Sequence, residues 1–135
     1  SVGVALADVS GHGVSASFIT ALFKASFYRI THSYEAPGDI LYHLNNELMD
    51  MVKTGDYITA LHCRLLDNAN LLEYAGAGHP YPLHYHASTH TVTGLTDHNG
   101  TPLVWFKNMD YSTGSITLAP GDKILAFTDG VTEMQ

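Results

Sequence analysis

Two aspartates, Asp8 and Asp129, each follow an apolar segment and are each followed by small residues. Carboxylates, backbone carbonyls and water are the oxygen ligands that Mg²⁺ and Mn²⁺ prefer. Two such segment ends brought side by side could therefore share a metal site. Aspartates at strand ends also commonly cap turns, so the residue types alone leave both roles open.

The residues around Asp8 predict a strand, a tight turn and a helix. The apolar run 2–7 predicts a buried strand, and the serine and glycines within 10–13 predict the turn. From Val14 onward the apolar residues follow a helical period. Glycines allow close backbone approach and a helix N-terminus favours anions, so this junction could hold a cation and an oxyanion together. The stripe expected to face inward consists of Phe18, Leu22 and Ala25.

The remaining elements predict one mixed domain. A turn at 120–122 introduces the strand 123–127, which leads into Asp129. Pro37-Gly38-Asp39 begins a second helix with a leucine-rich core face. Two hairpins are expected between the second helix and the strand 123–127. The segment 97–115 has no regular pattern, which predicts a mobile loop. The predicted hairpin strands are 57–65 with 71–75, and 83–86 with 91–93.

Three motifs resemble, in the same order, those of bacterial SpoIIE/RsbU-like protein phosphatases, which are metal-dependent serine/threonine phosphatases of the protein phosphatase 2C type. Together the motifs bracket nearly the whole chain, and the amphipathic second helix and the hairpin between them also resemble that family. One motif alone would be weak evidence, whereas three in order are specific. They are Asp8-Val9-Ser10-Gly11-His12-Gly13-Val14-Ser15-Ala16, Gly76-Ala77-Gly78-His79-Pro80 and Thr128-Asp129-Gly130-Val131-Thr132-Glu133.

The resemblance implies a fold and a set of site residues. The fold is α+β, a four-layer α-β-β-α sandwich with the metals at one edge of the two sheets. Asp8 is implied to bridge two Mn²⁺ or Mg²⁺ ions, the Val9 carbonyl to bind one of them and Asp129 the other, which makes Asp8 and Asp129 catalytic. The residues implied to shape the turns or face the substrate are Gly11, His12, Gly13, Gly78, His79 and Gly130.

The sequence departs from the family pattern at three places. An upstream Gly-Asp motif and a downstream Asp-Asp motif, which supply further metal ligands in the family, are absent from these 135 residues. Residues 1–135 are therefore expected to form a partial phosphatase domain, either as a fragment or because disordered ends are omitted from the sequence. The asparagine usual before Ala-Gly-His is replaced by Gly76, which weakens any substrate contact that the asparagine would make.

The function implied by the resemblance is hydrolysis of phosphoserine or phosphothreonine by a metal-activated water, without a phosphoenzyme intermediate. A bound metal lowers the pKa of its water, which makes this chemistry physically sensible. The implied substrate is a STAS-type anti-sigma-factor antagonist, and a sensor or receiver domain is expected outside this chain. The alternative is a catalytically inactive phosphatase-like module that binds a regulatory partner.

Composition narrows the function classes. The formal net charge is -7 with only six basic residues, which argues against a nucleic-acid surface. No apolar run approaches the length of a membrane span, and no secretory signal opens the chain. The lone cysteine, Cys63, cannot form an internal disulfide and is expected to be a buried hydrophobe in a cytoplasmic protein.

Histidine and serine chemistry offers further alternatives. His84 and His86 would share one strand face and could bind zinc, but with no third ligand apparent in the sequence they are expected to be surface residues. His12 could orient its turn or assist a leaving group, and His79 could stabilise its turn or contact substrate. A serine hydrolase built on Ser10 is disfavoured because the Gly-x-Ser-x-Gly frame is absent.

Overall fold

The computed structural model describes residues 1–128, which form two α-helices and two β-sheets. The helices are α1 (Gly13–Ile30) and α2 (Pro37–Met51). The strands in chain order are β1 (Val2–Val9), β2 (Ile58–Leu66), β3 (Leu71–Ala77), β4 (Leu83–His86), β5 (Thr91–Gly94), β6 (Asn99–Gly100), β7 (Gly114–Thr117) and β8 (Lys123–Leu125).

The larger sheet has five strands and places β1 at its edge. β1, β2 and β3 are antiparallel neighbours, and β3 pairs in addition with β7 and, in parallel, with the short β6. The smaller sheet has the order β5-β4-β8, with β4 in the centre. Both predicted hairpins are confirmed, within two residues of the expected strand bounds.

Two apolar cores hold these elements in layers. The first core lies between the helices and the larger sheet and includes the leucines predicted on α2, namely Leu41, Leu44 and Leu48. The second core joins the two sheets, with Cys63 and Tyr74 from the larger sheet and Ile124 from β8. Residues 1–128 thus supply three layers, α-β-β, of the expected four-layer sandwich, which confirms the fold class.

The predicted inward face of α1 is wrong by one residue. Phe18 is 64 % exposed, and Ala25 is exposed as well, whereas Leu22 is half-buried at the edge of the core. Neighbouring stripes on a helix share the same three- and four-residue spacing, so the period alone cannot choose between them. The residues that are buried are Ile19, Phe23, Ser26 and Ile30.

The irregular segment 97–115 is anchored to the protein, contrary to the mobile loop predicted for it. Leu103 is fully buried and exchanges two backbone hydrogen bonds with Ile58, of 3.1 and 2.7 Å. Tyr111 is buried in the same core and donates its hydroxyl hydrogen bond to the Thr101 carbonyl at 2.9 Å. Burial of these two side chains keeps the segment on the core despite its lack of regular structure.

Cys63 is buried, as expected, and burial raises the pKa of its thiol to about 11.

No helix within residues 1–128 combines the length and the apolar character needed to cross a bilayer.

Candidate functional site

Asp8 lies near the end of β1 on the side of the larger sheet that faces away from the helices. Ala7 and Val9 pack against the helical core, so the side chain between them points to the opposite face. Thr59 lies directly across from Asp8 on β2, and its buried hydroxyl has no hydrogen-bond partner within the described residues. None of those residues donates a hydrogen bond to the Asp8 carboxylate either. Two oxygen-bearing side chains on one face thus have no hydrogen-bond partner among residues 1–128.

The Val9 carbonyl points toward the open edge of the larger sheet. The Ser10 amide donates to the Tyr57 carbonyl at 2.9 Å, so these two residues form a hydrogen-bonded pair. Such pairs alternate along an antiparallel ladder, so the pair of Val9 and Ile58 exchanges no hydrogen bonds. Ile58 uses its own amide and carbonyl on Leu103 instead. The Val9 carbonyl is therefore free of the β1-β2 ladder, which the ligand role implied by the resemblance requires.

The turn after Val9 is held by Ser10 rather than by His12. The Ser10 hydroxyl accepts the Tyr57 amide at 2.9 Å and donates to the Asp56 carboxylate at 3.3 Å. His12 is exposed, occupies the N-cap position of α1 and makes no side-chain capping bond. Ser10 therefore has a structural role at this turn, and its hydroxyl has no histidine base among the partners that the structure describes.

The two glycines of the turn serve different purposes. Gly13 has φ +76°, a left-handed conformation that favours glycine, at the first residue of α1. Gly11 has no such conformation, but a Cβ there would lie 2.9 Å from a carboxylate oxygen of Asp56. The first turn of α1 contains no acidic side chain. Its free backbone N–H groups are thus available to an anion next to Asp8.

The motif 76–80 forms a second turn at the same end of the larger sheet. Ala60 on β2 pairs with Ala7 on one side and bridges to Gly78 on the other. Gly78 has φ +69°, and a Cβ there would lie 2.8 Å from a side-chain carbon of Pro102. Glycine is therefore required at position 78 for both conformation and space.

Asn99 fills the space beside Gly76 and binds the backbone of this second turn. Its carboxamide oxygen accepts the Gly78 amide at 3.0 Å, and its amide group donates to the His79 carbonyl at 2.9 Å. A Cβ on Gly76 would lie 2.6 Å from that same oxygen. Gly76 stands where the family pattern has asparagine, and the side chain of Asn99, distant in sequence, lies beside it.

His79 connects this turn to the last described residues. It is 2 % exposed, and its Nε2 donates to the Phe127 carbonyl at 2.9 Å, while its buried Nδ1 has no partner among the described residues. Thr128 lines a cavity of about 560 Å³ between β1 and α1 together with Ala7 and Val9. The chain after β8 therefore arrives beside the end of β1. Asp129 and Gly130 lie outside the described residues, and their roles remain predictions.

The oxygen atoms near the end of β1 are of the type that binds a hard divalent cation. Carboxylate, carbonyl and hydroxyl oxygens, here from Asp8, Val9 and Thr59, are the donors that Mg²⁺ and Mn²⁺ prefer. Within residues 1–128, the cluster of three histidine or acidic side chains with ligand atoms near one another lies elsewhere, in the smaller sheet. Further ligands for an ion at Asp8 would therefore come from outside residues 1–128, and the predicted Asp129 is one of them.

Sequence reasoning missed Thr59, Asp56 and Asn99, which the fold brings to these turns from other segments. For Thr59 and Asp56 the sequence carries no signal, because only strand register and packing place them beside Asp8 and Gly11. For Asn99 a signal exists. Gly76 departs from the family pattern at the residue that Asn99 adjoins, and a polar residue elsewhere in the chain can fill the space that a glycine leaves.

This α-β-β arrangement superposes on solved domains with the protein phosphatase 2C fold, so the chain has that fold. The family model described as Stage II sporulation protein E (SpoIIE) matches residues 1–135, and the chain belongs to that family.

Individual relatives agree with this family. The phosphoserine phosphatase RsbU of Bacillus subtilis (strain 168) is 29 % identical over 133 residues, which are 98 % of this chain and 39 % of RsbU. The crystal structure of the RsbU and RsbW domains of Rv1364c from Mycobacterium tuberculosis superposes with a TM-score of 0.81 at 22 % identity, covering 94 % of this chain and 35 % of that one. The catalytic domain of the serine/threonine protein phosphatase PstP, in complex with two manganese ions, superposes with a TM-score of 0.73 at 15 % identity, covering 97 % of this chain and 68 % of that one. This chain thus spans well under half the length of RsbU.

Proposed function

We propose that the protein containing this chain is a metal-dependent serine/threonine protein phosphatase that hydrolyses a phosphoserine or phosphothreonine on a regulatory protein. The observation that carries the proposal is that Asp8, the Val9 carbonyl outside the β1-β2 ladder and the Gly78-His79 turn lie at the same end of the larger sheet. Family membership and the similarity to a phosphoserine phosphatase support it.

The position of each residue determines the role that we assign to it. Asp8 and the Val9 carbonyl would hold Mn²⁺ or Mg²⁺, with Asp129 as a further ligand, and the N-terminus of α1 would bind the phosphoryl oxygens. Two bound divalent ions supply a water nucleophile at neutral pH and stabilise the attacking and leaving oxygens. They would also offset the negative charge that a chain of net charge -7 presents to a phosphoprotein.

The substrate class that we propose is a phosphorylated STAS-type antagonist of an anti-sigma factor, with a sensor or receiver domain elsewhere in the protein. The similarity to RsbU and to the RsbU-RsbW structure supports a place in this kind of regulation. A single buried cysteine, Cys63, fits a protein that works in the cytoplasm. The competing proposal is an inactive module that binds the same regulatory partner without hydrolysing its phosphate.

The test measures Mn²⁺-dependent phosphate release from a phosphorylated STAS protein and from a phosphoserine peptide, with the protein in its natural length. Asp8→Asn should lower turnover by roughly 100-fold or more, because it removes a carboxylate ligand from the reaction centre. Asp110→Asn is the matched control, since Asp110 is exposed and makes no side-chain hydrogen bond within the described residues. Metal-independent turnover, or full activity in Asp8→Asn, would refute the enzyme proposal. Partner binding without phosphate release would favour the inactive module.

A further inference from the structure

Three ligand-bearing side chains meet on the smaller sheet, away from the phosphatase site. His84, His86 and Asp122 each offer one ligand atom, and these atoms all lie within 4.8 Å of one another. His84 Nε2 lies 2.9 Å from Asp122 Oδ2. Asp122 precedes β8, whereas the chain beyond β8 meets His79 through Phe127, so this cluster lies at the opposite end of β8 from that contact.

The strand register fixes the two histidines. They are two residues apart on the central strand of the smaller sheet, so they share one face, and their ring centroids are 3.8 Å apart. The surface position predicted for them is wrong for His84, which is 5 % exposed because Asp122 packs against it. His86 is half-buried and lies 2.9 Å from the Thr93 hydroxyl through its Nε2. The cluster therefore has a buried side and an open side, as a site filled from solvent requires.

Asp122 is held in place by the backbone. Its Oδ1 accepts the Ala87 amide at 2.9 Å, and its Oδ2 accepts the Ala119 amide at 3.0 Å. The Ala87 amide foremost, together with His84 and Ala119, lowers the pKa of this carboxyl to about 2, so the group is ionised at neutral pH. These hydrogen bonds fix the orientation of the carboxylate beside the two histidines.

We propose that His84, His86 and Asp122 bind a zinc-type transition-metal ion, with the fourth position open to solvent beside His86. Two imidazoles and one carboxylate are a donor set typical of Zn²⁺, whereas Mg²⁺ prefers oxygen ligands alone. Bonds of the usual Zn–N and Zn–O lengths place tetrahedral ligands about 3.3 Å apart. His84 and Asp122 are 2.9 Å apart, a few tenths of an ångström closer than that spacing, and all three ligand atoms lie within 4.8 Å of one another.

This site is independent of the proposed phosphatase centre. Its residues are supplied by β4 and by the turn before β8, and none of them is among the residues assigned to the reaction. In the metal-free protein the hydrogen bond between His84 and Asp122 holds that turn against the smaller sheet. A metal ion bound to both side chains would release the His84 Nε2 proton to solvent and hold the turn by coordination instead. We therefore expect bound zinc to stabilise the smaller sheet.

The experiment titrates the full-length protein with Zn²⁺ against a chromophoric chelator, in excess Mg²⁺ to occupy the other centre, and repeats the titration with Co²⁺ to record its visible absorption. We expect one zinc site with intense cobalt bands typical of four-coordinate geometry. Changing a group that only hydrogen-bonds a metal ligand already costs about tenfold or more in affinity. His86→Ala removes one ligand of three and should therefore weaken zinc binding by at least about tenfold. The half-buried position of His86 makes this variant less disruptive to folding than a change at His84.

Two control variants establish where the zinc binds. His90→Ala removes an exposed histidine of the same β4-β5 hairpin and should leave zinc affinity unchanged. Asp8→Asn alters the proposed phosphatase centre and should also leave it unchanged. Equal zinc affinity in His86→Ala and the parent protein would overturn the proposal, as would a zinc site lost in Asp8→Asn or no zinc binding at micromolar concentrations. If His86→Ala unfolds, His86→Gln and Asp122→Asn provide the same comparison.

Discussion

Exchanging the asparagine between positions 99 and 76 tests how the Gly78-His79 turn is built. Asn99→Ala removes two hydrogen bonds to that turn, from the Gly78 amide and to the His79 carbonyl. A neutral hydrogen bond contributes about 0.5–1.5 kcal/mol, so the free energy of unfolding should fall by about 1–3 kcal/mol. Asn68→Ala is the matched control, because Asn68 lies exposed in the β2-β3 turn without a side-chain hydrogen bond in the described structure.

The second change, Gly76→Asn, adds a side chain where Asn99 already lies. Its Cβ would start 2.6 Å from the Asn99 oxygen and 3.1 Å from the carbon that bears it, so one side chain must move. Overpacking of this kind costs about 1–3 kcal/mol. In the double variant Gly76→Asn/Asn99→Ala this crowding disappears, since the remaining Cβ of residue 99 would lie 3.5 Å away, an ordinary contact.

The new asparagine can then reach the backbone that Asn99 held. We expect the double variant to be more stable than the sum of the two single effects by about 1 kcal/mol or more. Urea unfolding gives the three free energies, and hydrogen exchange at the Gly78 amide reports the turn directly. Additive effects, or an Asn99→Ala variant as stable as Asn68→Ala, would refute the assignment of this turn to Asn99.

Three further changes test the turn after β1 and the turn before β8. Gly11→Ala places a Cβ 2.9 Å from Asp56. We expect turnover to fall by roughly 100-fold with only a small loss of thermal stability. If the variant instead unfolds while its folded fraction keeps normal specific activity, the turn is purely structural. Ser10→Ala should keep most activity but lower the free energy of unfolding by about 1–2 kcal/mol; a phosphoenzyme trapped in the parent and absent from the variant would contradict this. The pKa of Asp122 is lowered from 3.8 to about 2, so the stability that its ionised form contributes is present above pH 3.8 and is lost as the pH falls toward 2. In Asp122→Asn the free energy of unfolding should therefore depend less on pH in that range. An unchanged pH dependence there would contradict this.

The sequence was sufficient for features that local chemistry decides. Alternating or apolar runs bounded by turn residues predicted the hairpins, and Pro37 predicted the start of α2. The serine and glycines within 10–13 predicted a tight turn after Asp8, and Gly13 has a positive φ there. Each of these signals lies within a few residues of the structure that it specifies, which is why no tertiary information was needed.

Features decided by tertiary packing were beyond sequence reasoning. Phe18 and Phe23 lie on adjacent faces of α1 with equally good helical spacing, and only the position of the larger sheet buries one and exposes the other. Segment 97–115 lacks any periodic pattern, yet Leu103 is fixed by backbone bonds to a strand more than forty residues earlier. The third partner of His84 and His86 is Asp122, which the sequence marks only as part of a turn.

The arrangement of the candidate site also depends on both local sequence and tertiary packing. Asp8 and the Gly78-His79 turn lie at the same end of the larger sheet because β1 and β3 both flank β2, where Ala60 pairs with Ala7 on one side and bridges to Gly78 on the other. Phe127 reaches that end from the other sheet, where buried His79 donates a hydrogen bond to its carbonyl. The second motif therefore has a positional role, because it fastens the segment leading to Asp129 beside the strand that ends in Asp8. Strand pairing and the His79–Phe127 hydrogen bond thus bring together segments that lie far apart in sequence.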